Sequence, residues 1–198
     1  MTTNASLSRA MSAPSSPPLL PLPDRVAALL SDLESPPRLA AHLRAVHDVA
    51  HRLIAWMEHH RPGVTFDREA VLFGAATHDI GKAVHVAELS EPGSAHEEAG
   101  EALLIGRGIP PELARFAATH ASWTDLRVGL DDLLVSLADK IWKNKRVPDL
   151  EDLVIGRLAE ATGRAAWEEF SALDELLGVI GDAADERLAF QASFPIHA

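Results

Sequence analysis

The chain of 198 residues is long enough for one folded domain, and it has no run of about 18 apolar residues that would predict a membrane-spanning helix. It contains no cysteine, which excludes disulfides and thiolate metal sites, so any metal must be bound through nitrogen and oxygen. The formal net charge of −11 argues against binding to nucleic acid, whose phosphates require a basic surface.

The beginning of the chain differs in composition from the rest. Residues 1–23 are rich in serine and proline and lack the basic start and apolar core of a secretory signal. We therefore expect a flexible tail over residues 1–23 of a cytoplasmic protein, followed by one domain over residues 24–198. From Asp24 onward, apolar residues recur at spacings of three and four and never alternate with a period of two. This pattern predicts an all-α fold.

Helix boundaries can be predicted from proline, glycine and capping residues. A long helix is expected to begin after the proline pair in SPPRLAAHLRAVHDVAHRLIAWMEHHRPG and to end at Pro62-Gly63. The next helix, in FDREAVLFGAATHDIG, is expected to end at Gly81 as a left-handed cap. Ser94 and Glu97 have the spacing of a capping box. Further helices are predicted over PPELARFAATHASW, over LDDLLVSLADKIWKNKR and over residues 149–162, 164–180 and 182–193.

Five polar residues lie at the ends or in the first turns of these predicted helices, where several helices can converge on one point. They are His78, Asp79, His96, His120 and Asp139. Neighbours on a helix are about 100° apart, so His78 and Asp79 can share a metal only where the backbone leaves the helix. Imidazole and carboxylate without thiolate favour Mn, Fe, Co, Ni or Zn over a soft metal. The sequence thus indicates a metal site.

The ordered set His, His-Asp, Asp, with HDIGK at its centre, resembles the HD superfamily of metal-dependent phosphohydrolases over residues 38–146. The segment HEEAGEALLIGRGIPPELARFAATH is similar to the one that supplies two further histidines in the two-metal branch. The resemblance implies an HD-domain helical bundle, here with additional C-terminal helices. It also implies two divalent metal ions, the first held by an upstream histidine, His78, Asp79 and Asp139, and the second by Asp79, His96 and His120. No Gly-Tyr-Pro signature follows His120, so cyclic-di-GMP is not expected as a substrate.

The upstream histidine has two candidates on one predicted helix. The family places apolar residues 4, 7, 8, 11 and 12 positions after its ligand, a pattern that His42 satisfies and His47 does not. The 31-residue interval from His47 to His78 is nevertheless nearer the family's usual separation than the 36-residue interval from His42. Because loop insertions are cheap, we favour His42 and keep His47 as the alternative.

Basic residues near the motif would suit an anionic substrate. Lys82 follows Asp79 by three residues and could bind a phosphate, as the resemblance implies, or act only as a cation at a helix C-terminus. Lys140 and Lys143 follow Asp139 in a segment that is either a substrate-binding patch or a solvated helix end. Two metal ions could activate a water to attack a phosphoryl group without a nucleophilic side chain.

We therefore predict a metal-dependent phosphohydrolase acting on a small phosphate ester or nucleotide, with Asp79 and Lys82 as catalytic residues and no nucleic-acid or membrane partner. The first alternative is an oxygenase, because the six ligands also resemble those of di-iron oxygenases of the myo-inositol oxygenase type. The absence of tyrosine removes one kind of lid used by those enzymes and favours hydrolysis. The second alternative, a nucleotide-sensing module, would be expected to have lost part of this ligand set.

Overall fold

Every regular element of residues 2–196, the part of the chain that the computed structural model describes, is a helix. This confirms the predicted all-α fold. The α-helices are α1 (Thr2–Ser12), α2 (Asp24–Asp32), α3 (Pro37–His60), α4 (Arg68–Thr77), α5 (Ala95–Gly106), α6 (Pro111–Ala114), α7 (Phe116–Thr119), α8 (Leu130–Ile141), α9 (Pro148–Thr162), α10 (Ala166–Gly181) and α11 (Ala184–Ala192). Short 3₁₀ turns occupy Ile80–Ala83 and Val86–Leu89. Within the described residues, no helix is long and apolar enough to cross a membrane.

The long helix α3 is the centre of the molecule. It begins after Pro36, with Pro37 in its first turn, and it ends before Pro62, as predicted. Helices α1, α4, α8, α10 and α11 pack around it, so that it is buried along most of its length. Residues 39–50 of this helix are all buried, and the polar side chains among them must therefore find partners inside the protein.

The end of α4 is formed differently from the prediction. Gly81 is not a left-handed cap, because it lies within the 3₁₀ turn and is not among the glycines with positive φ. A methyl group at Gly81 would instead overlap the carbonyl oxygen of His96 and the backbone nitrogen of Gly100. Glycine is required there because α5 packs directly against the turn that follows α4.

The predicted capping box at the start of α5 is also wrong, because the Ser94 side chain makes no capping hydrogen bond. The backbone N–H groups of Ala95 and His96 donate instead to the Glu88 carboxylate, each at 3.1 Å. This carboxylate comes from the preceding loop and satisfies two of the free N–H groups that every helix N-terminus presents.

The expected flexible tail is instead packed against the domain. Leu7 and Met11 of α1 are buried, and α1 packs on α3. The guanidinium of Arg44, which is 2% exposed, donates to the carbonyls of Leu19 at 2.7 Å and Leu20 at 2.9 Å. A buried guanidinium must find acceptors, and the backbone of this segment supplies them. The expectation of a flexible tail, which rested on serine and proline content alone, is therefore wrong for the described part of residues 1–23.

The bounds of helices α9, α10 and α11 are close to those predicted from the sequence for three C-terminal helices. The buried guanidinium of Arg187 on α11 donates to the carbonyls of Trp142 at 2.7 Å and Ile180 at 2.6 Å. These bonds hold α11 beside the end of α8. As a result, α11 lies next to the candidate metal site, which is described below.

Candidate metal centre

Six buried side chains from five helices converge at the predicted site. They are His42 on α3, His78 and Asp79 at the end of α4, His96 in the first turn of α5, His120 at the end of α7 and Asp139 on α8. They form two groups, His42 with His78 and Asp139, and Asp79 with His96 and His120. In each group the potential ligand atoms all lie within 4.8 Å of one another, close enough to hold one metal ion.

The carboxylate of Asp79 lies between the two groups. Its Oδ2 atom is 3.1 Å from Nε2 of His42 and 3.7 Å from Nε2 of His78. Its Oδ1 atom is 3.0 Å from Nε2 of His96 and 3.4 Å from Nε2 of His120. Each oxygen of one carboxylate therefore faces a different pair of imidazoles.

Asp139 completes the first group from the opposite side. Its Oδ1 atom is 3.4 Å from Nε2 of His78 and 3.7 Å from Nε2 of His42. The ring of Trp142, one turn further along the chain, packs edge-on against His42 with the ring centroids 4.9 Å apart. This contact and the surrounding core leave the His42 ring little freedom to turn away.

Helix ends orient the histidines. His78, the residue that follows α4, keeps α-helical backbone angles, whereas Asp79 leaves the helix with φ of −101° and ψ of 11°. His78 Nδ1 lies 3.0 Å from the carbonyl oxygen of Ala75, and His120 Nδ1 lies 2.9 Å from that of Ala117. Each Nδ1–H donates to a carbonyl three residues earlier, so the Nε2 atoms are left facing Asp79. This is how proteins commonly orient histidine ligands.

Glu88 performs the same task for His96, a role that was not predicted from the sequence. Its Oε2 atom lies 2.5 Å from Nδ1 of His96, and the same carboxylate caps α5. Glu88 comes eight residues before His96, within the 3₁₀ turn Val86–Leu89. The available signal was only an acidic residue upstream of the helix, which is common at helix N-termini for other reasons.

The pKa directions of Asp79, Asp139 and His42 suit the binding of a divalent cation. Burial alone would raise the pKa of Asp79, but the histidines around it, led by His78, lower that pKa well below its usual range. The pKa of Asp139 is likewise low because His78 and Lys140 outweigh the effect of burial. Burial lowers the pKa of His42, so its ring is neutral at pH 7 and can act as a metal ligand.

The hydrogen-bond pattern provides a test of whether a metal fits. With the Nδ1–H groups of His78 and His120 donating to carbonyls, the Nε2 atoms of these rings face the Asp79 and Asp139 oxygens. The buried Nε2 atom of His96 also has no hydrogen-bond partner among the described residues. Lone pairs facing one another across about 3 to 4 Å are unfavourable unless a cation lies between them. The donor set therefore fits divalent ions bound by nitrogen and oxygen.

A cavity of about 410 Å³ opens onto this cluster. The three lysines singled out from the sequence, Lys82, Lys140 and Lys143, all line it. The Nζ atom of Lys82 lies 2.6 Å from Oδ2 of Asp79, and that of Lys140 contacts Asp139. Their use by a substrate remains a prediction.

The structure separates the two candidates for the upstream histidine. His42 belongs to the cluster, whereas His47 lies in a different cavity, and its ring packs against His51. One and a half helical turns separate the two residues along α3, which directs their rings to different parts of the molecule. His47 is therefore not positioned to complete the site.

The family model described as HD domain matches residues 38–144, more than half of the chain. This range contains all six clustered side chains and the three lysines, but not α1, α2 or the C-terminal helices from α9 onward. No curated protein and no solved structure is similar enough to the chain to be matched.

Proposed function

The chain belongs to the HD-domain family, and from this we propose that it is a phosphohydrolase that uses two divalent metal ions to hydrolyse a small phosphate ester or nucleotide. The observation that carries the proposal is the position of Asp79, whose two carboxylate oxygens face two separate pairs of histidines. A carboxylate with this arrangement is suited to bridge a pair of metal ions.

Each metal would have its own ligands. His42, His78 and Asp139, with Oδ2 of Asp79, would hold one ion. His96 and His120, with Oδ1 of Asp79, would hold the other. When bound, a pair of divalent ions supplies the Lewis acidity that activates a water and offsets the charge of a phosphoryl group.

The remaining polar groups of the cavity support an anionic substrate. Lys82, Lys140 and Lys143 place three of the chain's four lysines around one cavity of a protein with a net charge of −11. Their ammonium groups can bind phosphoryl oxygens that the carboxylates alone would repel. The described lining contains no serine, threonine, cysteine or tyrosine that could serve as a nucleophile, which agrees with direct attack by water.

Glu97 is suited to handle the proton of that water. It lines the cavity, and its side chain makes no hydrogen bond within the described part of the chain. Glu88 also lines the cavity, but its carboxylate is occupied by His96 and the start of α5. Glu97 is therefore the better placed of the two to accept a proton from the attacking water or return it to the leaving group.

Phosphate release by metal-reconstituted protein tests the proposal. Chelator-treated protein is loaded anaerobically with Mn, Co or Ni and assayed with a phosphomonoester and a panel of nucleotides. We expect phosphate release that does not depend on oxygen and is lost in Asp79→Asn but retained in His59→Ala, which replaces an exposed histidine.

The same experiment separates the alternatives. Oxygen consumption by iron-loaded protein, with no phosphate released from any substrate, would favour the oxygenase. Tight nucleotide binding without turnover under any metal condition would favour a sensing module. Either result would overturn the hydrolase proposal.

A further inference from the structure

A second cavity, of about 820 Å³, lies away from the candidate metal centre. Its walls come from residues 20–25, from α3 and from residues 67–73 around the start of α4, with Leu113. No described residue lines both this cavity and the one at the metal centre. Its volume lies within the range of small-molecule binding sites, roughly 300–1,000 Å³.

His47 is the notable polar group of this cavity. It is 3% exposed, and neither of its ring nitrogens has a hydrogen-bond partner among the described residues. Burial, with a smaller effect of His51, lowers the pKa of His47 to about 3. The ring is therefore neutral at pH 7, with one nitrogen that donates and one that accepts. Buried polar groups are nearly always paired, so an unpaired imidazole in a cavity wall points to a ligand.

The rest of the lining combines apolar side chains with charges that nearly balance, since three acids, Asp24, Asp67 and Glu69, stand against two bases, Arg25 and Arg68. Leu22, Leu72 and Phe73 contribute apolar surface. The carboxylate of Asp67 caps α4 by accepting from the N–H of Ala70, and Arg68 pairs with Glu58 at 2.9 Å. Little net charge remains to attract an ion, so the lining is suited to a neutral compound.

We propose that this cavity is a second binding site, for a neutral and mostly apolar small molecule whose hydroxyl or amide group hydrogen-bonds to His47. The neutral imidazole can donate to such a group or accept from it, and the apolar walls cover the rest of the ligand. A carboxylate ligand would gain only one donor from His47, would meet the acids of the lining, and would lose its hydration against leucine and phenylalanine.

The wall formed by residues 20–25 is held in place by the interior of the domain. The N–H of Leu20 donates to Oδ1 of Asp48 at 3.1 Å, next to His47 on α3, and its carbonyl accepts from Arg44. This wall lies before the family match, which begins at residue 38. One wall of the site therefore lies outside the matched domain, and the proposal does not rest on the proposed hydrolase activity.

Three naphthalene probes of similar shape test the proposal on the metal-loaded, full-length protein. They are 2-naphthol, with a neutral hydroxyl, 2-methylnaphthalene, with none, and 2-naphthoate, with a carboxylate. Calorimetry is expected to show 2-naphthol binding about tenfold more tightly than 2-methylnaphthalene, the effect of one hydrogen bond to a buried group. The ring signals of His47 in the NMR spectrum should shift on binding, and 2-naphthoate should bind less tightly than 2-naphthol.

His47→Leu and His59→Leu provide the matched variants. His47→Leu should bind 2-naphthol and 2-methylnaphthalene equally and should keep or raise the melting temperature, because it removes an unpaired polar group. His59→Leu, at an exposed position of the same helix, should retain the preference for 2-naphthol. The proposal is overturned if no probe binds, if the preference survives in His47→Leu, or if 2-naphthoate is the tightest ligand.

Discussion

Two regions of the molecule use buried histidines from the same helix in opposite ways. His42 and His47 are five residues apart on α3 and are exposed by only 6% and 3%. His42 faces the carboxylates of Asp79 and Asp139 at 3.1 and 3.7 Å. His47 lines a separate cavity and has no hydrogen-bond partner within the described structure.

The difference shows that burial alone does not make a histidine a metal ligand. Carboxylates must converge on the same point, as that of Asp79 does where the backbone turns away from α4. Where no carboxylate contacts the imidazole, as at His47, whose neighbour Asp48 pairs with Leu20 and Arg52 instead, burial only keeps the ring neutral. The predictions below test this contrast.

The largest effect is expected from Asp79→Asn. Losing the bridging carboxylate should lower turnover more than about a hundredfold, since even the partners of metal ligands are worth roughly 10–100-fold, and it should reduce bound metal. Activity assays and metal analysis of the same samples measure both. The matched control is Asp48→Asn, which removes a buried carboxylate beside His47 and should leave metal content unchanged. An equal loss of bound metal in Asp79→Asn and Asp48→Asn would show that the two regions do not differ in metal binding.

The two histidines can be compared directly. His42→Ala should lose metal from the first group, because it removes a donor that lies 3.3 Å from His78 and 3.1 Å from Asp79. His47→Ala should keep wild-type metal occupancy, because its ring is in the other cavity. Metal content per chain, measured by mass spectrometry after identical loading, provides the comparison. Loss in His47→Ala with normal occupancy in His42→Ala would reverse the assignment.

A smaller effect is expected from Glu88→Gln. The substitution keeps an acceptor for the start of α5 but removes the charge that orients and polarises His96. Metal affinity should fall about 10–100-fold, the usual cost of changing such a partner, while the helical circular dichroism stays unchanged. Glu91→Gln, at an exposed position three residues on, is the control. An unchanged affinity in Glu88→Gln would show that Glu88 only caps the helix.

The smallest effect concerns stability at low pH. The pKa of His47 is about 3 in the folded protein, lowered by burial from an unfolded value of 6.5, so the unfolded state binds the proton more tightly. Stability is therefore lost as the pH falls below 6.5, by about 2 kcal/mol between pH 7 and pH 5 from this residue alone.

Denaturant unfolding measures the free energy of unfolding at pH 7 and pH 5. Between these pH values His47→Leu should lose about 2 kcal/mol less of that free energy than the wild type. His59→Leu should lose as much stability as the wild type. A wild-type pH dependence retained in His47→Leu would mean that His47 already has a partner that accepts its proton.

The sequence predicted the elements that have local signals. The apolar period of α3, its flanking prolines and the helix-end position of His78 and Asp79 were all visible, and the resemblance to the HD superfamily gave the order of the distant residues. The positions of α9, α10 and α11 were also close to those predicted.

Contacts between distant segments were not visible in local patterns. No local pattern near Glu88 indicates that its carboxylate reaches His96. The serine and proline content of residues 1–23 does not indicate that backbone carbonyls of this segment accept hydrogen bonds from Arg44. The role of Gly81 also depends on α5, which approaches it from later in the chain. In each case the deciding interaction is tertiary and overrides the local preference.

The position of bound metal in crystals tests the central claim most directly. Anomalous scattering from fully loaded wild-type crystals should show two ions on opposite oxygens of Asp79. One should be bound by His42, His78 and Asp139, and the other by His96 and His120. The second ion should disappear in His96→Ala or His120→Ala while the fold is kept. A single ion in the wild type, with His96 and His120 turned away from it, would contradict the two-metal assignment.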